Sequence, residues 1–162
     1  MPPAPSHTGW AHFTFDIWKT AMTPDPDMQP DFYDGVPTKR LLAWVVDMFV
    51  VAGMTLLVVP LTAFIGLFFL PFLFVTISFC YRVVSLARGS ATWGMRLMSI
   101  ELRDREDAPF ELPTAFMHTL GYALSWAMPL LQIASVVAML SSQRRQGLSD
   151  MALGSVALNR RS

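Results

Sequence analysis

Two long apolar runs separated by a charged stretch organise this chain. No formally charged side chain occurs from Met48 to Tyr81, or again from Leu112 to Gln143. A bilayer core takes about 20 apolar residues per helical span, so the first run, extended back to Leu41, suits a hairpin of two spans. The pattern places span one near 41–59, a tight turn around Pro60 to Gly66, and span two near 64–84. Pro71 then falls inside span two, where it lacks the N–H that would bond back to residue 67, and a kink is expected there. The second run, 113–142, is short for two complete spans, and Gly121 and Pro129 divide it. It is therefore either a second helical hairpin that enters and returns, or one kinked span.

Between the runs, residues 85–112 are too rich in charge to lie in lipid. Within them RLMSIELRD alternates like a short strand, and DREDAP ends it as a turn. A second candidate strand, GSVALNR, lies in the tail 143–162. The two can pair as a small antiparallel ribbon if both lie on one side of the membrane. Lys39 and Arg40 precede span one, Arg82, Arg88 and Arg96 follow span two, and Arg144, Arg145, Arg160 and Arg161 follow the last apolar run. The excess of basic residues in cytoplasmic loops places all of these in the cytoplasm, along with the N-terminus.

Composition agrees with that pattern. Hydrophobic types make up 53% of the residues and charged types 15%, below the roughly 25% charged residues of a globular domain. The expected fold is an all-α membrane protein with an N-terminal two-span hairpin and a small cytoplasmic ribbon, in residues 35–162. The net charge is zero, which gives no case for nucleic acid as a partner. The lone cysteine, Cys80, has no internal disulfide partner. No cleavable signal segment is visible, so the first apolar run is expected to be a retained anchor. Ahead of it, residues 1–34 form a leader in two parts. GWAHFTFDIWK interleaves aromatic and polar residues, as a short strand or an interfacial or partner-binding patch does. TPDPDMQPDFYDG, with its prolines and aspartates, is expected to be extended and in water.

Asp47 is the most informative residue. It lies well inside span one, where an ionised and unpaired carboxylate costs several kcal/mol, so it needs a partner, water or a proton. Arg40, about two turns earlier on the same side of a helix, is the nearest candidate partner, and Arg82 is another. Two readings stay open: a proton or cation site at Asp47 helped by carbonyls freed at Pro71, or a structural ion pair. Asp150, in GLSDMALG, is positioned to accept from Arg40, Arg144 or backbone amides at a helix start, closing the tail against the first helix. His118 is expected to be a hydrogen-bonded membrane histidine, and His7 and His12 lack the neighbours of a metal site. No catalytic grouping, phosphate loop or dinucleotide fingerprint is visible, so neither an enzyme nor a cofactor is expected.

Three blocks in order, YDGVPTKRLLAWVVD, SATWGMRLMSIELRD and RRQGLSDMALGSVAL, resemble the signatures of the RDD family of small bacterial membrane proteins. The family is named for an arginine and two aspartates, which here are Arg40, Asp47 and Asp150. The resemblance spans about residues 33–159 and implies a place in the bacterial inner membrane. Most members have no assigned activity, and transport, including sodium/proton exchange, is proposed for some. The chain departs from the family's threonine-x-glycine-lysine-arginine block, with Met95 in the lysine position before Arg96. Where members often carry an arginine at the start of the last apolar region, this chain offers His118. Two functions follow: proton or sodium transport through a path including Arg40, Asp47 and Asp150, or an accessory subunit docking on a larger membrane complex. Either implies the lipid bilayer and a homo-oligomer or larger complex as partners.

Overall fold

The computed structural model describes residues 23–62 and 65–160. The aromatic part of the leader, residues 9–19, lies outside the described residues. Helix α1 runs Val36–Leu61 and helix α2 Leu70–Gly89. A short helix α3, Trp93–Leu97, leads into strand β1, Ile100–Arg103. Helices α4, Leu112–Ala127, and α5, Pro129–Ser141, make up the second apolar run, followed by α6, Leu148–Leu153, and strand β2, Val156–Asn159. Both α1 and α2 are long and apolar enough to cross a membrane.

Helix α1 buries only one narrow stripe: Val36, Ala43, Asp47, Val51, Thr55 and Val59. These recur every three or four residues, as one side of a helix requires. The other sides present Leu41, Phe49, Leu56 and Leu57 outward. An exposed apolar surface of this extent belongs in lipid.

Pro71 and Pro129 act differently from one another. Pro71 sits in the first turn of α2. The expected kink is therefore absent, because an N–H in a helix's first turn has no intrahelical partner to lose. The turn between the spans, after Leu61 and before Leu70, lies later than Pro60, which stays within the last turn of α1. At Pro129 the break is real. Met128 adopts an extended conformation and the paired helices bend by 118° there. A residue before proline is driven out of the helical region, and this one opens the bend. Gly121, expected to divide the run, instead lies inside α4 and lets that helix approach Ser149 of α6 closely.

The ribbon forms as the alternation implied, with β1 antiparallel to β2 and Ile100 opposite Asn159. Pairing has a topological consequence. The chain leaves β1, runs through α4, α5 and α6, and returns to β2, so that excursion starts and ends at one end of the molecule. The core lies at the same end, where Val36, Ala43, Leu86, Met95, Ile100, Leu102, Phe110 and Ala157 pack together.

The acidic part of the leader is not extended throughout. Pro30–Phe32 form a 3-10 turn, and Tyr33 is buried against Val156 and Leu158 of β2. One aromatic ring gives the segment the burial that its aspartates could not. Asn159 fastens it further by donating to the carbonyls of Asp31 and Asp34 at 2.7 and 3.0 Å.

Candidate functional site

Asp47 points from the buried stripe of α1 toward α2 and α3. Its Oδ1 accepts from the Tyr81 hydroxyl at 2.7 Å and from the Gly94 backbone N–H at 2.9 Å. Its Oδ2 accepts from the Thr92 hydroxyl at 2.6 Å. Thr92 is also the N-cap of α3 and accepts from Met95 N–H, while Tyr81 accepts from Trp93 N–H at 3.0 Å. One carboxylate thus ties three helices together with neutral donors. The expected pairing of Asp47 with Arg40 or Arg82 does not occur: neither arginine forms an ion pair with it. Residues 40 and 47 do share a side of α1, but their side chains meet different elements.

Gly94 is required by that contact. A Cβ there would fall inside van der Waals contact of the Ala43 carbonyl oxygen, a backbone atom that cannot rotate away. Gly94→Ala is expected to push α3 off α1, break the amide bond to Asp47, and destabilise by about 2 kcal/mol in detergent. Thermal unfolding measures this, and an unchanged melting temperature would mean that α3 is not seated on α1.

The second carboxylate, Asp150, is fully buried at the start of α6. Its Oδ2 takes the Arg40 guanidinium and the Gly147 N–H, the latter at 3.0 Å. Its Oδ1 takes His118 Nε2 at 2.7 Å. Burial alone pushes the Asp150 carboxyl up, but the Arg40 charge, reinforced by His118, outweighs it and holds the group well below its ordinary value of 3.8. Two of the acceptances expected from the sequence, from Arg40 and from a backbone amide, are present. Arg144 instead approaches Thr23. This carboxylate joins α1, α4 and α6.

Between the two clusters lies a cavity of about 470 Å³ whose wall includes Arg40, Asp47, Arg82, His118, Gln132 and Ser135. That is a size typical of ligand pockets. Trp44 and Trp126 stack across it at 5.9 Å, and Arg82 lies over the Tyr122 ring at 3.9 Å. Pro71, at the far end of α2, is not part of this wall, and Arg96 lies exposed on α3 beside Gly89. Among the described residues no group of three or more His, Cys, Asp or Glu is arranged to hold a metal ion.

Sequence reasoning singled out both aspartates, but not the donors that hold Asp47. Tyr81, Thr92 and Gly94 carry their signal only jointly: a threonine before a short helix, a glycine two residues on, and a tyrosine at the end of the preceding span.

Apolar helices gathered at one end by two buried carboxylate clusters define a membrane protein built on a polar clamp. The chain belongs to the RDD family, whose family model matches residues 35–154, a stretch that includes Arg40, Asp47 and Asp150. No curated protein and no solved structure matches it.

Proposed function

We propose that this chain is a multi-pass protein of the bacterial inner membrane, with its N-terminus, charged loop and tail in the cytoplasm. It acts there as a non-catalytic accessory subunit of a larger membrane complex. The observation that carries this reading is the state of the two signature aspartates. Asp47 is held by three neutral donors and Asp150 by Arg40, His118 and a backbone amide, so both are spent on the fold. A carrier's carboxylate must exchange its partners for a cation or proton on every cycle. These carboxylates would have to unfasten three helices each time.

The docking element is the leader. Asp25, Asp27, Asp31 and Asp34 are exposed on a segment fixed to β2, and four carboxylates held in place suit a basic cytoplasmic surface on a neighbour. Replacing all four by asparagine is expected to reduce the size of the complex extracted from native membranes in mild detergent, read by native electrophoresis. The melting of the membrane domain should not change. A complex of unchanged size would count against docking through the leader.

One observation favours the transport reading. His118 Nδ1 is buried without a hydrogen-bond partner among the described residues, on a side chain that both lines the cavity and touches Asp150. A buried ring nitrogen left open is a hydrogen-bonding position that a transport path would use. If proton or sodium transport is the function, His118→Gln abolishes flux in proteoliposomes and leaves the complex intact.

A further inference from the structure

We propose that the pocket enclosed by the end of α2, by α3 and by the ribbon holds the phosphate of an anionic phospholipid of the cytoplasmic leaflet. The proposal relies on the membrane orientation given above and is independent of the accessory role.

On α2 the exposed residues Phe72, Thr76, Cys80 and Val84 follow one another at four-residue spacing, and the next position in that stripe is Arg88. An apolar stripe that ends in arginine marks the passage from hydrocarbon to headgroups. Helix α3 lies beside this point. Its Gly94 backbone faces α1, whereas Trp93 and Leu97, one turn apart, are 63% and 66% exposed. A tryptophan and a leucine presented together at that level sit where a membrane-water interface accommodates them.

The pocket itself, about 230 Å³, is lined by Arg88, Gly89, Arg96, Ile100, Glu101 and Arg160 among others. Its electrostatics are unbalanced. Glu101 already binds Arg103 through Oε1 at 2.6 and 3.0 Å, and its Oε2 lies 3.9 Å from Arg160 Nε. Neither Arg88 nor Arg96 has an ion pair among the described residues. Three guanidinium groups therefore face a small polar hollow whose one carboxylate is already engaged. The ribbon fixes the main chain that carries one of them, since the backbone N–H of Arg160 donates to the Ser99 carbonyl at 2.8 Å. Guanidinium forks match phosphate oxygens in pairs, and basic groups near an anionic leaflet attract its headgroups. The adjoining apolar surface of Val84, Trp93 and Leu97 selects an anion that carries hydrocarbon, so a lipid fits better than free phosphate.

Native mass spectrometry of the full chain in uncharged detergent, with phosphatidylglycerol and phosphatidylcholine in equal amounts, tests the site. Wild type should retain phosphatidylglycerol over phosphatidylcholine by about tenfold or more. R88Q/R96Q/R160Q should fall to parity, and R88K/R96K/R160K, which keeps the charge and loses the fork, should keep part of the preference. Because Arg160 lies just past the end of β2 with 61% of its side chain exposed, Arg160→Gln alone gives a partial loss even where the triple variant does not fold. Equal retention of both lipids by wild type, or an undiminished preference in R88Q/R96Q/R160Q and Arg160→Gln, would overturn the proposal. Displacement of phosphatidylglycerol by excess inorganic phosphate would reassign the pocket to free phosphate and overturn the lipid assignment.

Discussion

Asp150→Ala is expected to be the most damaging single substitution in the chain, costing about 3–5 kcal/mol. The size follows from what remains behind. Asp150 is fully buried and Arg40 largely so, with 17% of its side chain exposed, so removing the carboxylate leaves a mostly buried positive charge without its counter-ion. His118 Nε2 and the Gly147 amide lose their acceptor at the same time. Breaking a buried pair by deleting one partner is far more costly than replacing both with apolar groups. Arg40→Met combined with Asp150→Leu should therefore recover part of the loss, and a double-mutant cycle in detergent reads the coupling.

The same pair makes a prediction in acid. Asp150 has a folded value below its unfolded value of 3.8, so it binds its proton more weakly in the folded protein. Its contribution is complete above about pH 4 and declines as pH falls from there toward the depressed folded value. Arg40→Met removes the principal cause of the depression. That variant should be less stable at neutral pH and lose less on acidification, which melting temperatures across the acid range will show.

Asp47→Asn is the second large effect. The carboxylate accepts three hydrogen bonds with both oxygens, whereas an asparagine side chain has one acceptor and turns two N–H donors toward groups that also donate. Even if the amide oxygen keeps Tyr81 and Gly94, the Thr92 hydroxyl then faces an N–H group and its own proton loses its acceptor. Hydrogen bonds to a charged group contribute more than neutral ones, and the loss is about 3 kcal/mol. Tyr81→Phe removes one donor and leaves the carboxylate with two, so it should cost less. Asp47→Asn exceeding Tyr81→Phe in melting shift is the expected order, and the reverse would place the stabilising weight on the tyrosine hydroxyl, which also accepts from Trp93 N–H.

Much of this architecture was legible because its signals are local. Charge-free runs marked the apolar helices, Pro129 marked the sharp bend, and alternation marked both strands of the ribbon. Pro71 reads as a mid-helix kink because the turn after Leu61 carries no charge, and its polar residue, Thr62, bonds to Val59 and Gly66 and so does not mark where α2 begins. Proline has opposite meanings in the first turn of a helix and in its interior, and only the boundary distinguishes them. The partners of Asp47 were hidden for another reason. Helical spacing shows that residues 40 and 47 share a side of α1, but which element each one meets is set by packing of segments 34 to 47 residues further along. Asp150 was easier, since a carboxylate beside a glycine at a helix start binds its own backbone, and few other buried positions offer Arg40 an anion. In the second part of the leader, four aspartates and three prolines obscure Tyr33, whose ring supplies the burial.

The most direct test of the clamp is a pair of measurements on the same samples: proton and sodium flux in proteoliposomes, and thermal stability, for wild type beside Asp47→Asn. Folded wild type should carry no more of either ion than protein-free liposomes, and Asp47→Asn should melt well below it. Wild-type flux that disappears in Asp47→Asn while the melting temperature stays unchanged would contradict the clamp and make Asp47 an ion-binding carboxylate.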